Sequence, residues 1–302
     1  MNSNPARFFP MIVYSLRLLG LFFLMTATPL VAAPPIVFVH GMFQNPDSWA
    51  KWKTWFEAKG FVCYAPAYPY HEGSPASLRK NIPVELGKVT FADAAKKISD
   101  FIDTLPEKPI LIGHSMGGLI VQKLLENGKG VAAIAIDSAP PKGIFSFKWS
   151  FLRANLPAIN PFKGDSVCEP TVEWFHYAFC NTMTLDETRV EFDRYVVPES
   201  RNIPRSSTGD QGKIDFKKPH PPLLFIAGEK DHIIPASLNR DNFKAYTDTN
   251  SITAFKEFPN RTHYLCGQTN LVAWASSERS ERPAWEEIAQ FSYEWIGSLK
   301  KK

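Results

Sequence analysis

The sequence predicts an α/β fold: a mostly parallel central sheet flanked by helices, with a cap or lid region inserted between its two halves. Three observations predict it. Short continuous apolar runs alternate with amphipathic segments of helical period, the pattern of a parallel sheet covered on both faces. A turn rich in glycine, Gly113-His114-Ser115-Met116-Gly117-Gly118, lies between one apolar run and the helix-like segment after it. The alternation then lapses for about 80 residues between Asp137 and Leu223, too long for a structureless loop inside a compact domain.

In chain order, residues 35–39 form a continuous apolar run that ends in His40-Gly41. Residues 47–59 read as a helix, with Trp49, Trp52, Trp55 and Phe56 at near-helical spacing and Gly60 just past the end. Residues 61–65 are the next strand, and 91–105 a helix with Ile98, Phe101, Ile102 and Leu105 on one face. Strand 109–112 leads through the glycine-rich turn into helix 116–126. Strands 131–136 and 223–227, helix 237–246, strand 252–255 and a closing helix over 284–299 complete the pattern. The gap is dense in aromatics, among them Phe145, Phe147, Trp149, Phe175 and Phe179, and reads as a cap over one end of the sheet. The expected organisation is a targeting or anchoring segment over 1–33, a core over 34–141 and 221–302, and the cap over 142–220.

Composition excludes several classes. Of 302 residues, 44% are hydrophobic and 21% charged, which is globular rather than disordered. The formal charge of +4 is too small for a nucleic-acid binder, and the only dense basic run is Lys300-Lys301-Lys302. Residues 1–33 carry Arg7 and Arg17 with no acid, and residues 18–31 carry no charge at all. That run suits a secretory signal and is short for a bilayer span of roughly 20 residues. Export to the periplasm or medium after cleavage is the expectation. The alternative is an uncleaved segment that anchors the chain to a membrane.

Export would place four cysteines in an oxidising compartment. Cys168 and Cys180 lie 12 residues apart and are the best placed to form a disulfide, whereas Cys63 sits in a strand pattern and reads as a buried thiol. None forms C-x-x-C. The histidines lack metal-ligand spacing and no dinucleotide or phosphate-binding glycine motif occurs, so no metal or cofactor is expected.

The glycine-rich turn carries the chemistry. Placed between a strand and a helix, G-x-S-x-G puts its serine at the apex of a sharp turn, beside a helix N-terminus that favours negative charge. Ser115 needs a base, and His263 lies in the loop between the last strand and the last helix. Asp231 follows the strand 223–227 by a short turn and would orient that base. Asp137, at the end of strand 131–136, is the rival acid.

With His40-Gly41, the Gly113–Gly118 turn, the Gly228…Asp231 turn and the His263 loop, the chain resembles the α/β-hydrolase family of serine esterases and lipases over roughly residues 34–298. The resemblance implies Ser115 as nucleophile, His263 as base and Asp231 as acid. It implies an oxyanion hole made of the backbone N–H groups of Met116 and Met42, with Phe43 the neighbouring alternative to Met42. Strands that precede the His-Gly strand in many members should be missing here. The expected activity is cleavage of carboxylic esters through an acyl-enzyme, on a small-molecule or lipid ester with an apolar moiety. Carbon–carbon bond hydrolysis and peracid formation on the same triad are alternatives, and a non-catalytic ligand-binding receptor is a reading of a different class.

Overall fold

The computed structural model describes Met1 and residues 33–269 and 284–299. The expected targeting segment therefore lies outside the described residues. Among the described residues no helix is long and apolar enough to cross a membrane.

The chain opens with β1 (Ile36–Val39), α1 (Ala50–Glu57) and β2 (Cys63–Tyr64). A short α2 (Pro75–Lys80) and the longer α3 (Phe91–Ile102) follow. Next come β3 (Ile110–His114), α4 (Met116–Glu126) and β4 (Ala132–Ile136). After β4 come α5 (Trp149–Ile159), β5 (Val167–Cys168), α6 (Val172–Ala178), α7 (Leu185–Tyr195), β6 (Glu199–Ser200) and α8 (Asn202–Ser207). The alternation resumes with β7 (Leu223–Gly228), α9 (Ala236–Ala245), β8 (Thr253–Phe258) and α10 (Ala284–Leu299).

Six strands form one sheet in the order β2-β1-β3-β4-β7-β8, and every neighbouring pair is parallel. Among the described residues β2 is the edge beyond β1, with no strand outside it. Side chains alternate between the two faces of each strand. Val37, Val39, Leu111, Ala133, Ala135 and Phe225 pack on one side with α3, α4 and the residues after β4. Ile36, Phe38, Ile110, Ile112, Ile134 and Ile226 pack on the other, against α1 and α10. There Phe38 stacks on Trp49 at 5.0 Å and meets Trp52 edge-on at 6.2 Å, which gives the tryptophan-rich start of the sequence its place.

Helix α4 is buried along nearly its whole length, as a central helix between the sheet and its covering must be. Helix α3 begins with a capping box in which the Thr90 side chain accepts from the Asp93 N–H and Asp93 reaches back to Thr90. The expected strand 61–65 is shorter in fact, because Val62 is exposed and only Cys63 and Tyr64 pair with β1. The expected strand 252–255 extends instead to Phe258, its outer residues Lys256 and Glu257 lying on the sheet edge.

The inserted region is helical. Its four helices accompany a two-stranded antiparallel pair, β5 with β6. Phe151, Ala154, Phe175, Phe179, Phe192 and Ile203 share one continuous core with the sheet and α4, so this region has no separate core of its own.

The Cys168–Cys180 bond is not formed: all four cysteines are free and buried. Cys168 lies on the β5 strand with its Sγ 3.7 Å from the Pro157 carbonyl. Cys180 follows α6 and packs against Thr188 of the next helix. The spacing of 12 residues permitted a bridge, but the turn of α6 between them faces the two sulfurs toward different neighbours.

Candidate active site

Strand β3 delivers Ser115 to the turn before α4, in a backbone conformation (φ 55°, ψ −119°) that a non-glycine residue adopts only under constraint. The constraint comes from close packing. A Cβ on Gly113 would collide with the carbonyl of Gly117, and one on Gly117 with the carbonyl of Val39. Both positions therefore admit no side chain, which is the physical content of the two glycines around the serine. Gly41 packs on the same turn, since a Cβ there would lie 2.9 Å from that of Ser115.

This approach sets two N–H groups beside the serine. Among the described residues neither Met42 N–H nor Met116 N–H donates to a protein acceptor. Both residues line the same cavity as Ser115. Phe43, the neighbouring alternative, has its own left-handed backbone (φ 62°), and its carbonyl accepts from the Val197 N–H at 3.0 Å.

The structure brings His263 and Asp231 together. His263 Nδ1 lies 2.6 Å from Asp231 Oδ2, both side chains being fully buried. Asp231 Oδ1 accepts from the N–H groups of Ile233 and Ile234, each at 2.8 Å, which fixes the carboxylate plane. His263 Nε2 is buried with no hydrogen-bond partner, so Ser115 and His263 are not hydrogen-bonded to each other in this structure. Burial pushes the His263 imidazole down to about 3, the direction that keeps it neutral. Burial raises the Asp231 carboxyl, against the Ile234 and Ile233 N–H groups, which favour its charged form.

The rival acid has a different place. Asp137, with φ 41°, accepts the Gly228 N–H on Oδ1 at 2.8 Å and so ties the end of β4 to the end of β7. Its Oδ2 is buried without a partner. Burial, and next the nearby Asp231, raise its carboxyl well above the usual range, while the Gly228 N–H opposes them. One donor atom each from His114, Asp137 and His263 lies within 4.8 Å of the others. Each also has another partner, although Asp137 Oδ2 and His263 Nε2 stay unpaired: His114 Nε2 donates to the His263 carbonyl at 2.8 Å, His263 Nδ1 pairs with Asp231, and Asp137 Oδ1 holds Gly228. His114 thus fixes the backbone of the His263 loop. His232, beside Asp231, turns away to the Tyr177 carbonyl at 2.9 Å.

Several contacts could not be read from the sequence. Phe179, in the inserted region, stands edge-on to the His263 ring at 4.7 Å. Its carbonyl accepts the Tyr264 N–H at 3.0 Å. The buried Tyr264 hydroxyl donates to Glu191 of α7 at 2.7 Å. A cavity of about 270 Å³ opens over Ser115. Its walls are apolar on nearly every side, with Met42 and Met116 from the core and Phe145, Phe151, Leu156 and Phe179 from the insertion.

The family model of the alpha/beta hydrolase family matches residues 36–275, the stretch that holds the serine turn, the Asp231 turn and the His263 loop. The chain belongs to the alpha/beta hydrolase family. Solved structures with the same fold include a monoacylglycerol lipase of Paleococcus ferrophilus (20% identity, TM-score 0.59, 88% of this chain and 96% of that one). An extracellular alpha/beta-hydrolase from a Paenibacillus species aligns at 18% identity and TM-score 0.61, over 87% and 98% of the two chains. A pyrethroid hydrolase from Sphingobium faniae aligns at 15% identity and TM-score 0.57, over 89% and 99%. No curated protein gives a significant match. The match spans the parallel sheet and the helical region inserted after the fourth strand in sequence.

Proposed function

We propose that this protein is a serine hydrolase that cleaves carboxylic esters through an acyl-enzyme. The observation that carries the reading is the Asp231–His263 bond, which leaves the buried Nε2 of a neutral imidazole without a partner, while a strained serine lines an apolar cavity. In this reading His263 Nε2 takes the Ser115 hydroxyl proton as Oγ attacks the ester carbonyl. The oxyanion is held by the Met42 and Met116 N–H groups, which have no competing acceptor. His263 returns the proton to the leaving alcohol. It then activates water, whose attack on the acyl-enzyme releases the acid and restores Ser115. Asp231 stabilises the imidazolium formed in each half-reaction.

The apolar walls support an ester with an apolar acyl or alcohol group. The N-terminal run of residues 18–31 supports export, with membrane anchoring as the alternative fate of the same segment. Sequencing the N-terminus of the mature protein separates those two. A serine-directed fluorophosphonate tests the chemistry: it should label the native protein and leave Ser115→Ala unlabelled. Equal labelling of both, or none of either, rejects the assignment. A panel of p-nitrophenyl esters run beside a diketone separates ester from carbon–carbon cleavage.

A further inference from the structure

The residues after β4 carry an apolar surface that the fold leaves uncovered. Phe147, Trp149 and Phe162 are exposed by 87%, 70% and 94% of their surface, an arrangement a soluble face seldom keeps without use. Phe147 and α5, which carries Trp149, adjoin the cavity. Phe147 meets Phe145 at 5.0 Å, and Phe145 and the exposed Leu156 line the mouth above Ser115. On α5, Trp149 and Leu156 are seven residues apart and share a face, while Phe162 follows in the turn after the helix.

Charge selects the occupant. Residues 138–164 contain Lys142, Lys148, Arg153 and Lys163 and no acid, in a chain with 34 basic and 30 acidic residues. Lys142 pairs with Asp210. Among the described residues Lys148, Arg153 and Lys163 form no ion pair, and Arg153 lies 4.0 Å over the Tyr177 ring. The next acid in sequence, Asp165, accepts from Asn202 at 2.8 Å. Exposed Trp and Phe interleaved with unpaired cations on α5 and the chain on either side of it match the headgroup region of an anionic bilayer. A lipid surface, unlike a folded protein face of mixed charge, presents one sign of charge throughout, which fits a stretch with basic side chains and no acid.

We propose that the face formed by residues 145–163 docks on an anionic lipid surface, and that apolar esters enter the cavity over Ser115 from that surface. Only the second half rests on the ester-hydrolase reading.

The test is flotation of the full-length chain with phosphatidylcholine vesicles, with and without phosphatidylglycerol. The native protein should partition more strongly onto the phosphatidylglycerol vesicles. Phe147→Ser/Trp149→Ser/Phe162→Ser should lower that partition by about tenfold or more, because affinity scales with buried apolar area. Lys148→Glu/Lys163→Glu should bring it down to the level of phosphatidylcholine alone. None of these five side chains lines the cavity, so turnover of a water-soluble ester stays at the native rate and reports correct folding. The N-terminal segment is common to all variants, so the differences belong to this face. Equal partition of native and triple variant overturns the proposal. So does a concentration-dependent dimer that the triple variant abolishes without a change in vesicle binding, since the face would then seat a second copy. Absent fluorophosphonate labelling strikes the hydrolase reading and leaves the vesicle result standing.

Discussion

The sheet core and the inserted region solve the problem of stability in different ways. In the core, backbone meets backbone: the carbonyls of Gly117 and Val39 fill the space that side chains at Gly113 and Gly117 would need. In the insertion, side chains bridge long distances: Trp174 donates to the Ala154 carbonyl at 2.9 Å, and Arg79 reaches from α2 to the Val196 carbonyl at 2.6 Å. Its glycines Gly143 and Gly164 have positive φ but open space around them. Backbone packing allows no variation, whereas side-chain bridges can be redrawn. On the hydrolase reading, the core is the part that holds the reacting atoms in register, and the insertion the part free to shape what reaches them.

The largest effect that would sharpen this contrast lies in the core. Ser115→Ala and Asp231→Asn should each lower kcat on a p-nitrophenyl ester by roughly 10⁴-fold or more while leaving Tm near the native value. No comparable loss should follow from Phe147→Ser or Phe162→Ser in the insertion. Gly117→Ala should abolish folding or lower Tm by well over 10 °C, because the collision is with backbone that cannot yield. Gly143→Ala, at φ 93° with no atom in the way, should cost only about 1 kcal/mol, or roughly 2–4 °C in Tm. Similar losses for the two glycines would break the comparison.

A third measurement probes the seam. Tyr264→Phe removes the donor to buried Glu191 and leaves that carboxylate short of one partner, at a cost of about 1–3 kcal/mol by denaturant unfolding. Since Tyr264 adjoins His263, kcat should fall with it, and adding Glu191→Gln, which removes the buried charge left short of a donor, should restore most of the loss.

The smallest effect is in pH. The protonated imidazole is the inactive form, and burial pushes His263 down to about 3. Activity should therefore hold its plateau as pH falls through the ordinary histidine value of about 6.5, changing less than about twofold between pH 7.5 and 6.5. A kcat/KM profile with its acid midpoint at or above 6.5 would show that the Asp231 charge outweighs burial.

What the sequence made legible follows the same division. Strands β1, β3, β4 and β7 are fully buried, so they read as unbroken apolar runs. Ser115 and Asp231 each follow such a run closely, and local pattern was enough to pick them out, whereas His263 lies in the loop after the edge strand β8. The edge strand β8 was placed short because its charged residues Lys256 and Glu257 break the apolar run. In the insertion, α7 carried a readable signal in Thr184 and Glu187, which form a capping box, but Pro157 within α5 hid that helix. The Phe179 contact with His263 and the Glu191 contact with Tyr264 bridge 84 and 73 residues, respectively. Nothing local to either partner encodes them. The cysteine bridge failed for the same reason, since spacing along the chain says nothing about which way two sulfurs point.

Those four thiols give the molecule a clock. Cys63 and Cys266 sit on one side of the sheet, Cys168 and Cys180 on the other. Burial lifts every one of them, Cys63 to about 12, so at neutral pH each is an inert thiol until its surroundings part. An alkylating reagent will therefore record when each side opens rather than how reactive its sulfur is. If the region over the active site breathes independently of the sheet beneath it, Cys168 and Cys180 will be consumed first, and the interval before Cys63 and Cys266 follow will measure how firmly the two are joined.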